Sequence, residues 1–395
     1  MRRKDLTAST GNSAMRSGAG TNYLVQTPTG VLYNVYISDA NLDVLFRSSD
    51  DYGSTWSDPV QLFSGSATAL SIWYDRWSNI AAGLIHVAYQ ESVTDDTLYR
   101  TIDTESSDAL STQTTIFLGA STATGGHLSI TRAVGGNVYC KTVIDAGAEG
   151  GFFRLPNANV PSGAWDAART VDEAIATTDQ MILLPDYDAA DTQDILAIFW
   201  DASANEISRK LYDDSANSWS ETSIATSMAD QVATTAFPHF AVAMDIANTQ
   251  HILVAWSAVD TLNADLRCWI IDATTITEVT NVVQNSTDDQ GLAAIALNTQ
   301  TGWWHVFYTG KSDGSETFPT ATNIYMKVSQ DSGTTWSAET KLTGRVFNTQ
   351  YLATTPRLIL GPPIILFLSF SSVDANSVRV NVDLENPKAR LQIGI

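Results

Sequence analysis

The 395-residue sequence predicts an all-β fold, a seven-bladed β-propeller of four-stranded antiparallel blades. Three observations predict it. Short runs rich in Val, Ile, Tyr, Phe and Trp recur along the chain, bounded by Gly, Asn, Asp and Ser, as strands between turns are. The runs repeat at a fixed period, the first feature to look for in a chain of this length. The acidic residues are mostly Asp, 33 against 10 Glu, and Asp favours turns where Glu favours helices.

One kind of run ends in an aromatic residue followed by small or acidic residues, at Tyr36, Tyr89, Trp200, Trp256, Tyr308 and Phe370. A further copy ends near Val143-Ile144-Asp145 without the aromatic, which makes seven. The period is about 56 residues, close to the longer propeller repeats. A second run follows each of these and carries a basic residue at a matching place: Arg47, Arg100, Arg154, Lys210, Arg267, Lys327 and Arg379. A third run precedes each aromatic run, and a fourth, such as Val60-Gln61-Leu62-Phe63, closes most copies. Four strands per unit, named A (innermost) to D, pack radially so that both faces of each blade are buried. Six blades with an extra strand set is the alternative.

The expected organisation is an N-terminal arm, 1–21, and one propeller domain, 22–395. The blades fall near 22–65, 66–119, 120–176, 177–232, 233–286, 287–346 and 347–395. The last copy is short of its outer strand. Either Ala389-Arg390-Leu391-Gln392-Ile393 supplies it or the N-terminal segment closes the ring.

The formal charge of −21 argues against nucleic acid as a partner, since that affinity comes from Lys and Arg neutralising phosphates. The longest apolar stretch, Pro362 to Phe370, is far short of a membrane span. The basic start, Met1-Arg2-Arg3-Lys4, is followed by no apolar h-region, so no secretory signal peptide of the usual kind is expected. Cys140 and Cys268 lie in strand-like runs and read as buried free thiols.

Two eight-residue stretches match each other in pattern. Ser49-Asp50-Asp51-Tyr52-Gly53-Ser54-Thr55-Trp56 and Ser329-Gln330-Asp331-Ser332-Gly333-Thr334-Thr335-Trp336 both read S-x-D-x-G-x-T-W, each between strands C and D. The pattern is that of a self-locking turn. The Asp carboxylate accepts backbone N–H bonds within the loop, Gly supplies a positive φ, and Trp packs the turn onto the blade. A worn copy runs from Asp214 to Trp219, with Ala216 where Gly stood, and Gly163-Ala164-Trp165 is a weaker echo.

These two stretches resemble the Asp box, or bacterial neuraminidase repeat, of the sialidase-like propellers. With the strand pattern the resemblance covers about residues 22 to 385. It implies a propeller whose Asp boxes are structural and lie away from the binding face. It does not imply activity, because such boxes occur in sialidases, lyases, other glycosidases, sorting receptors, assembly factors and phage virion proteins. A sialidase also needs an arginine cluster, a Tyr/Glu pair and an acidic Asp. Phe153-Arg154-Leu155-Pro156 is similar to that family's opening motif but stands after the first Asp box, and Arg154 is one of the seven repeated basic residues.

The binding face of such a propeller carries the B–C and D–A loops. The seven B–C loops hold fourteen acidic residues and one basic one, Lys311. That field repels an anionic sugar and suits a cation, a neutral glycan or a basic partner. No cofactor is expected beyond a calcium ion held by clustered carboxylates in one or two loops. His127, Gln180, His239 and Arg357 each open a strand A and are expected to converge at the channel mouth as ligand contacts. His86, His251 and His305 fall inside strand B and read as buried.

The sequence thus points to a non-enzymatic binding module, a virion structural or host-attachment protein of a phage. In this reading the arm docks other virion proteins, the propeller binds neutral glycan, and lysis replaces export. A divergent glycoside hydrolase or polysaccharide lyase is the alternative, and a cytoplasmic interaction scaffold the second.

Overall fold

A computed structural model describes residues 2–5 and 24–382, excluding 39–40, 54, 75–82, 120–127, 146–147, 172–178, 188, 229–239, 246–250, 258–265, 273–274, 280–281, 283–289, 317–322, 343–348, 355–356, 359–363 and 370–376. Among these the strands form seven sheets, taken in chain order. The inner strands are Leu24–Gln26, Ala67–Tyr74, Ser129–Arg132, Gln180–Pro185, Phe240–Asp245, Gly291–Asn298 and Thr349–Thr354. The first, fourth and fifth sheets are antiparallel meanders of four strands in order, and the second and sixth contain such a meander plus a fifth strand, Ala109–Leu110 beside Thr97–Asp103 and, in parallel, Arg357–Leu358 beside Gly291–Asn298. In the fourth sheet, for example, Gln180–Pro185, Ile195–Asp201, Glu206–Asp213 and Ser218–Thr226 follow one another outward.

Two sheets lack four consecutive strands of their own. The third has three strands, Ser129–Arg132, Val138–Asp145 and Ala148–Leu155. Its outer segment is attached by two backbone bonds, Asp166 N–H to Arg154 O at 2.8 Å and Arg169 N–H to Phe152 O at 2.7 Å. Three residues of that segment oppose two of the strand, a bulge that breaks the ladder. The seventh has three strands of its own and takes a fourth from the other end of the chain. Arg2–Asp5 pairs antiparallel with Ser377–Val382, Arg2 opposite Val382 and Asp5 opposite Arg379. The start of the expected arm is therefore part of the seventh sheet, and an outer edge that would be an open template is covered. The other candidate for that strand, 389–393, lies outside the described residues.

Ser129–Arg132 lies between Ala67–Tyr74 and Gln180–Pro185, and Gly291–Asn298 lies between Phe240–Asp245 and Thr349–Thr354. The strand Leu24–Gln26 also meets Arg357–Leu358, which brings the end of the chain back to its beginning. Serine hydroxyls stitch inner strands together: Ser71 Oγ accepts Ile130 N–H at 3.1 Å and Ser129 Oγ accepts Leu183 N–H at 3.0 Å. One apolar cluster runs from Ala69 in the second sheet through Ile130, Ile198 and Trp200 to Trp269 in the fifth. Others join the first sheet to the second and the fifth to the sixth. The molecule is an all-β propeller of antiparallel four-stranded blades.

The repeated basic residues tie strand C to its surroundings. Arg100 Nε donates to Ser111 O at 2.9 Å, and Arg267 pairs with Glu278 at 2.8 Å. Lys210, fully buried, lies 4.7 Å from the Phe199 ring centroid and 3.3 Å from Glu221.

The two S-x-D-x-G-x-T-W turns have the same bonds. Asp51 Oδ1 accepts Thr55 N–H at 2.7 Å and its Oδ2 accepts the Thr55 hydroxyl at 2.7 Å. Ser49 Oγ accepts Gly53 N–H at 2.8 Å, and Trp56 Nε1 donates to Gly53 O at 3.2 Å. At the second turn Asp331 Oδ1 accepts Thr335 N–H at 2.8 Å, Ser329 Oγ accepts Gly333 N–H at 2.8 Å, and Trp336 Nε1 donates to Gly333 O at 2.9 Å. Gly53 has φ 76° and Gly333 φ 86°, as the pattern requires.

The worn copy works differently. Asp213, not Asp214, holds that turn: its Oδ1 accepts Ala216 N–H and the Ser215 hydroxyl, both at 2.8 Å. Asp214 turns to the third sheet and pairs with Arg154 and Arg169. Trp219 follows it, donating from Nε1 to Thr170 O at 3.0 Å. Without the glycine the hairpin tightens, and the carboxylate one residue earlier comes into reach of the turn amides.

Candidate functional site

The inner strands begin at the end of the molecule that carries the B–C loops, and the Asp51 and Asp331 turns lie at the other end. Ser49 and Ser329 are opposite Leu32 and Trp304, where strand B starts. Gln180 opens its inner strand opposite Trp200 and is buried. Arg357 does not join it. It pairs in parallel with Leu297, near the far end of Gly291–Asn298, so it lies at the turn end. The inner strand of the seventh sheet is Thr349–Thr354, and Arg357 comes after it. The expected meeting of Gln180 with Arg357 is thus corrected: the Pro356-Arg357-Leu358 run looks like a strand opening, but the true one lies earlier. His127 and His239 lie outside the described residues.

Carboxylates of the B–C loops hold the loops themselves. Asp43 Oδ1 accepts Gly65 N–H at 2.8 Å and Asp96 Oδ1 accepts Gly119 N–H at 2.9 Å, each clamping a B–C loop to the next connection. Glu91 accepts Val93 N–H at 3.0 Å and Thr94 N–H at 2.8 Å. Burial pushes the Glu91 carboxyl up, but the Thr94 hydroxyl together with these two amides outweighs it and holds it below the usual carboxylate value. Asp201 accepts Ser203 N–H at 2.7 Å and Ala204 N–H at 2.9 Å. The Lys311 ammonium, with help from Ser315, holds Asp313 down to about 2. Among the described residues no group of three or more His, Cys, Asp or Glu side chains is placed to hold a metal ion.

Residues with chemical potential elsewhere are committed to the fold. Arg154 binds Asp166 at 2.6 Å and Asp214 at 2.7 Å. His86 is fully buried, its Nδ1 2.6 Å from the Tyr99 hydroxyl, and burial lowers it to about 3. A neutral imidazole at all working pH cannot shuttle protons. Tyr308 donates to Glu339 Oε2 at 2.6 Å, a Tyr/Glu pair in contact. Yet Tyr308 is fully buried, and burial together with that bond pushes its phenol far above its ordinary value. A phenol so held keeps its proton and is a poor nucleophile. Cys140 and Cys268 are free and buried, and burial raises both thiols. No helix among the described residues is long and apolar enough to cross a membrane.

No family model and no curated protein matches the chain. Among solved structures it is similar to the SapL1 lectin in complex with alpha methyl fucoside, with a TM-score of 0.45 and 11% identity over 77% of this chain and 93% of that one. It is also similar to the Hadza microbial sialidase Hz136, TM-score 0.48 and 12% identity over 96% of this chain and 67% of that one. A prolyl endopeptidase structure gives 0.48 and 11% over 98% and 54%. None of these reaches 0.5, and the fold assignment rests on the sheets themselves.

Proposed function

We propose that the chain is a non-enzymatic seven-bladed propeller, Asp boxes in two of its blades, that binds a neutral glycan through its B–C and D–A loops, as a structural or host-attachment component of a phage virion. The observation that carries the reading is the use to which its reactive side chains are put. Asp43, Glu91, Asp96 and Asp201 bond backbone amides of their own or the next connection, and Arg154, His86, Tyr308 and both cysteines are locked in ion pairs or burial. A catalytic site keeps such groups poised in a cleft with perturbed, usable pKa values. The acidic loops favour a neutral over an anionic sugar. The seven-blade count is supported by the seven sheets, the third completed by its irregular outer segment and the seventh by Arg2–Asp5.

The test is a glycan array probed with the purified chain, with and without calcium. The reading expects neutral glycans to be retained and sialylated ones to be passed over. Preferential retention of sialylated glycans would overturn it.

A further inference from the structure

Val93 and Leu118 stand out of the molecule at 75% and 70% exposure. Both belong to the second sheet and to its loop end. Val93 lies between Leu84–Glu91 and Thr97–Asp103, and Leu118 directly follows the outer strand Thr114–Phe117. The two connections are fastened together by the bond from Gly119 N–H to Asp96 Oδ1. Glu91 grips the amides of Val93 and Thr94, and Ser92 N–H reaches Ser66 O at 2.9 Å. The exposure of both side chains is therefore built in by a rigid frame.

The first sheet is an internal control. It uses the same frame: Asp43 binds Gly65 N–H as Asp96 binds Gly119 N–H, and Leu42 takes φ 57° where Asp95 takes φ 59°. Phe63-Ser64-Gly65 matches Phe117-Leu118-Gly119, so Ser64 stands where Leu118 does. Counting back from the clamping aspartate, Ala40 stands where Val93 does. The frame needs the Asp and the Gly. It does not need an aliphatic side chain at either exposed position, and two apolar side chains fixed in place at one loop end are surface that a partner can cover at little ordering cost.

The surroundings select the partner. Glu91, Asp95 and Asp96 lie in the same connection, and the chain carries −21 overall. Two protruding aliphatic side chains offer no flat ring face for a sugar to stack on. They fit a protein surface with an apolar recess edged by Lys and Arg, the acidic rim orienting the approach. We propose that Val93 and Leu118 are the apolar centre of a docking site for a basic protein partner, a further contact on the loop end that the glycan-binding role also uses.

The experiment uses the full chain and two labelled peptides of equal charge, one alternating Lys with Leu and one alternating Lys with Ser, titrated by fluorescence anisotropy. The chain is expected to bind the Lys/Leu peptide roughly ten-fold more tightly than the Lys/Ser peptide, the difference that an energetically significant apolar contact makes. The double variant V93A/L118S, which installs the first sheet's residues, is expected to abolish that preference at an unchanged melting temperature. V60A, at an exposed outer-strand position, is expected to retain it. Equal binding of the two peptides by the parent chain, no binding of either, or an unaltered preference in V93A/L118S would each overturn the proposal. These outcomes are independent of whether any glycan binds.

Discussion

Arg154 reaches from the third sheet to Asp214 of the fourth, its Nη1 donating to both carboxylate oxygens at 3.0 and 2.7 Å. Arg169 meets the same carboxylate at 2.8 Å and the Tyr212 hydroxyl at 2.6 Å. Two arginines of one blade thus converge on a single aspartate of the next. The third sheet lacks a regular outer strand, and this cluster holds its outer segment instead.

Asp214→Ala should therefore loosen the junction. It leaves two arginines without their shared partner in a setting where the aspartate is 10% exposed. The expected loss is about 2 kcal/mol, less than a fully buried pair because Arg154 keeps some contact with water. Urea denaturation measures it. Asp213→Ala, which removes only the turn acceptor, should cost less.

Gly333→Ala tests the turn geometry. A Cβ at that position would come 2.6 Å from Ile270 Cδ1, on a residue with φ 86°. Strain and overpacking together should cost about 2–4 kcal/mol. Gly302→Ala has φ 71° but open space around its Cβ, so it should cost only about 1–2 kcal/mol. Thermal denaturation of the pair separates the two effects.

Asp331 gives the turn a pH dependence. The Thr335 hydroxyl and amide hold its carboxyl below the ordinary value in the folded chain. A depressed folded value means a contribution present above the ordinary carboxylate range and lost as the pH falls toward the folded value. Urea midpoints of the parent and Asp331→Asn should therefore differ at pH 7 and converge in acid.

His86 acts over a different window. It is neutral in the fold because burial lowers it to about 3, while the unfolded chain titrates near 6.5. Stability is full above pH 6.5 and should fall by about 1.4 kcal/mol for each unit below it, until the folded value is reached. His86→Gln should flatten that part of the pH–stability curve, read by urea denaturation between pH 7 and pH 4.

The repeat was legible because strand alternation and aromatic ends recur in sequence. Tyr36, Tyr89, Trp200 and Tyr308 all lie in strand B as the pattern predicts. The Asp51 and Asp331 turns were legible because every bond in them is local. What the sequence hid is non-local. Nothing near Asp214 in the chain announces Arg154, 60 residues away. Arg357 was misplaced because one apolar run after a proline looks like another, and only the register with Leu297 decides its end of the molecule. The strand Arg2–Asp5 carries no apolar alternation to mark it, and only its register against Ser377–Val382 places it. The exposure of Val93 and Leu118 has no local sequence signal, since apolar residues at strand ends are as often buried.

The central claim is that the propeller binds without altering its ligand. The most direct measurement is mass spectrometry of neutral glycans recovered after prolonged incubation with the purified chain. The account predicts that a glycan retained by the immobilised protein comes back with its mass unchanged. A shortened or unsaturated product would contradict it.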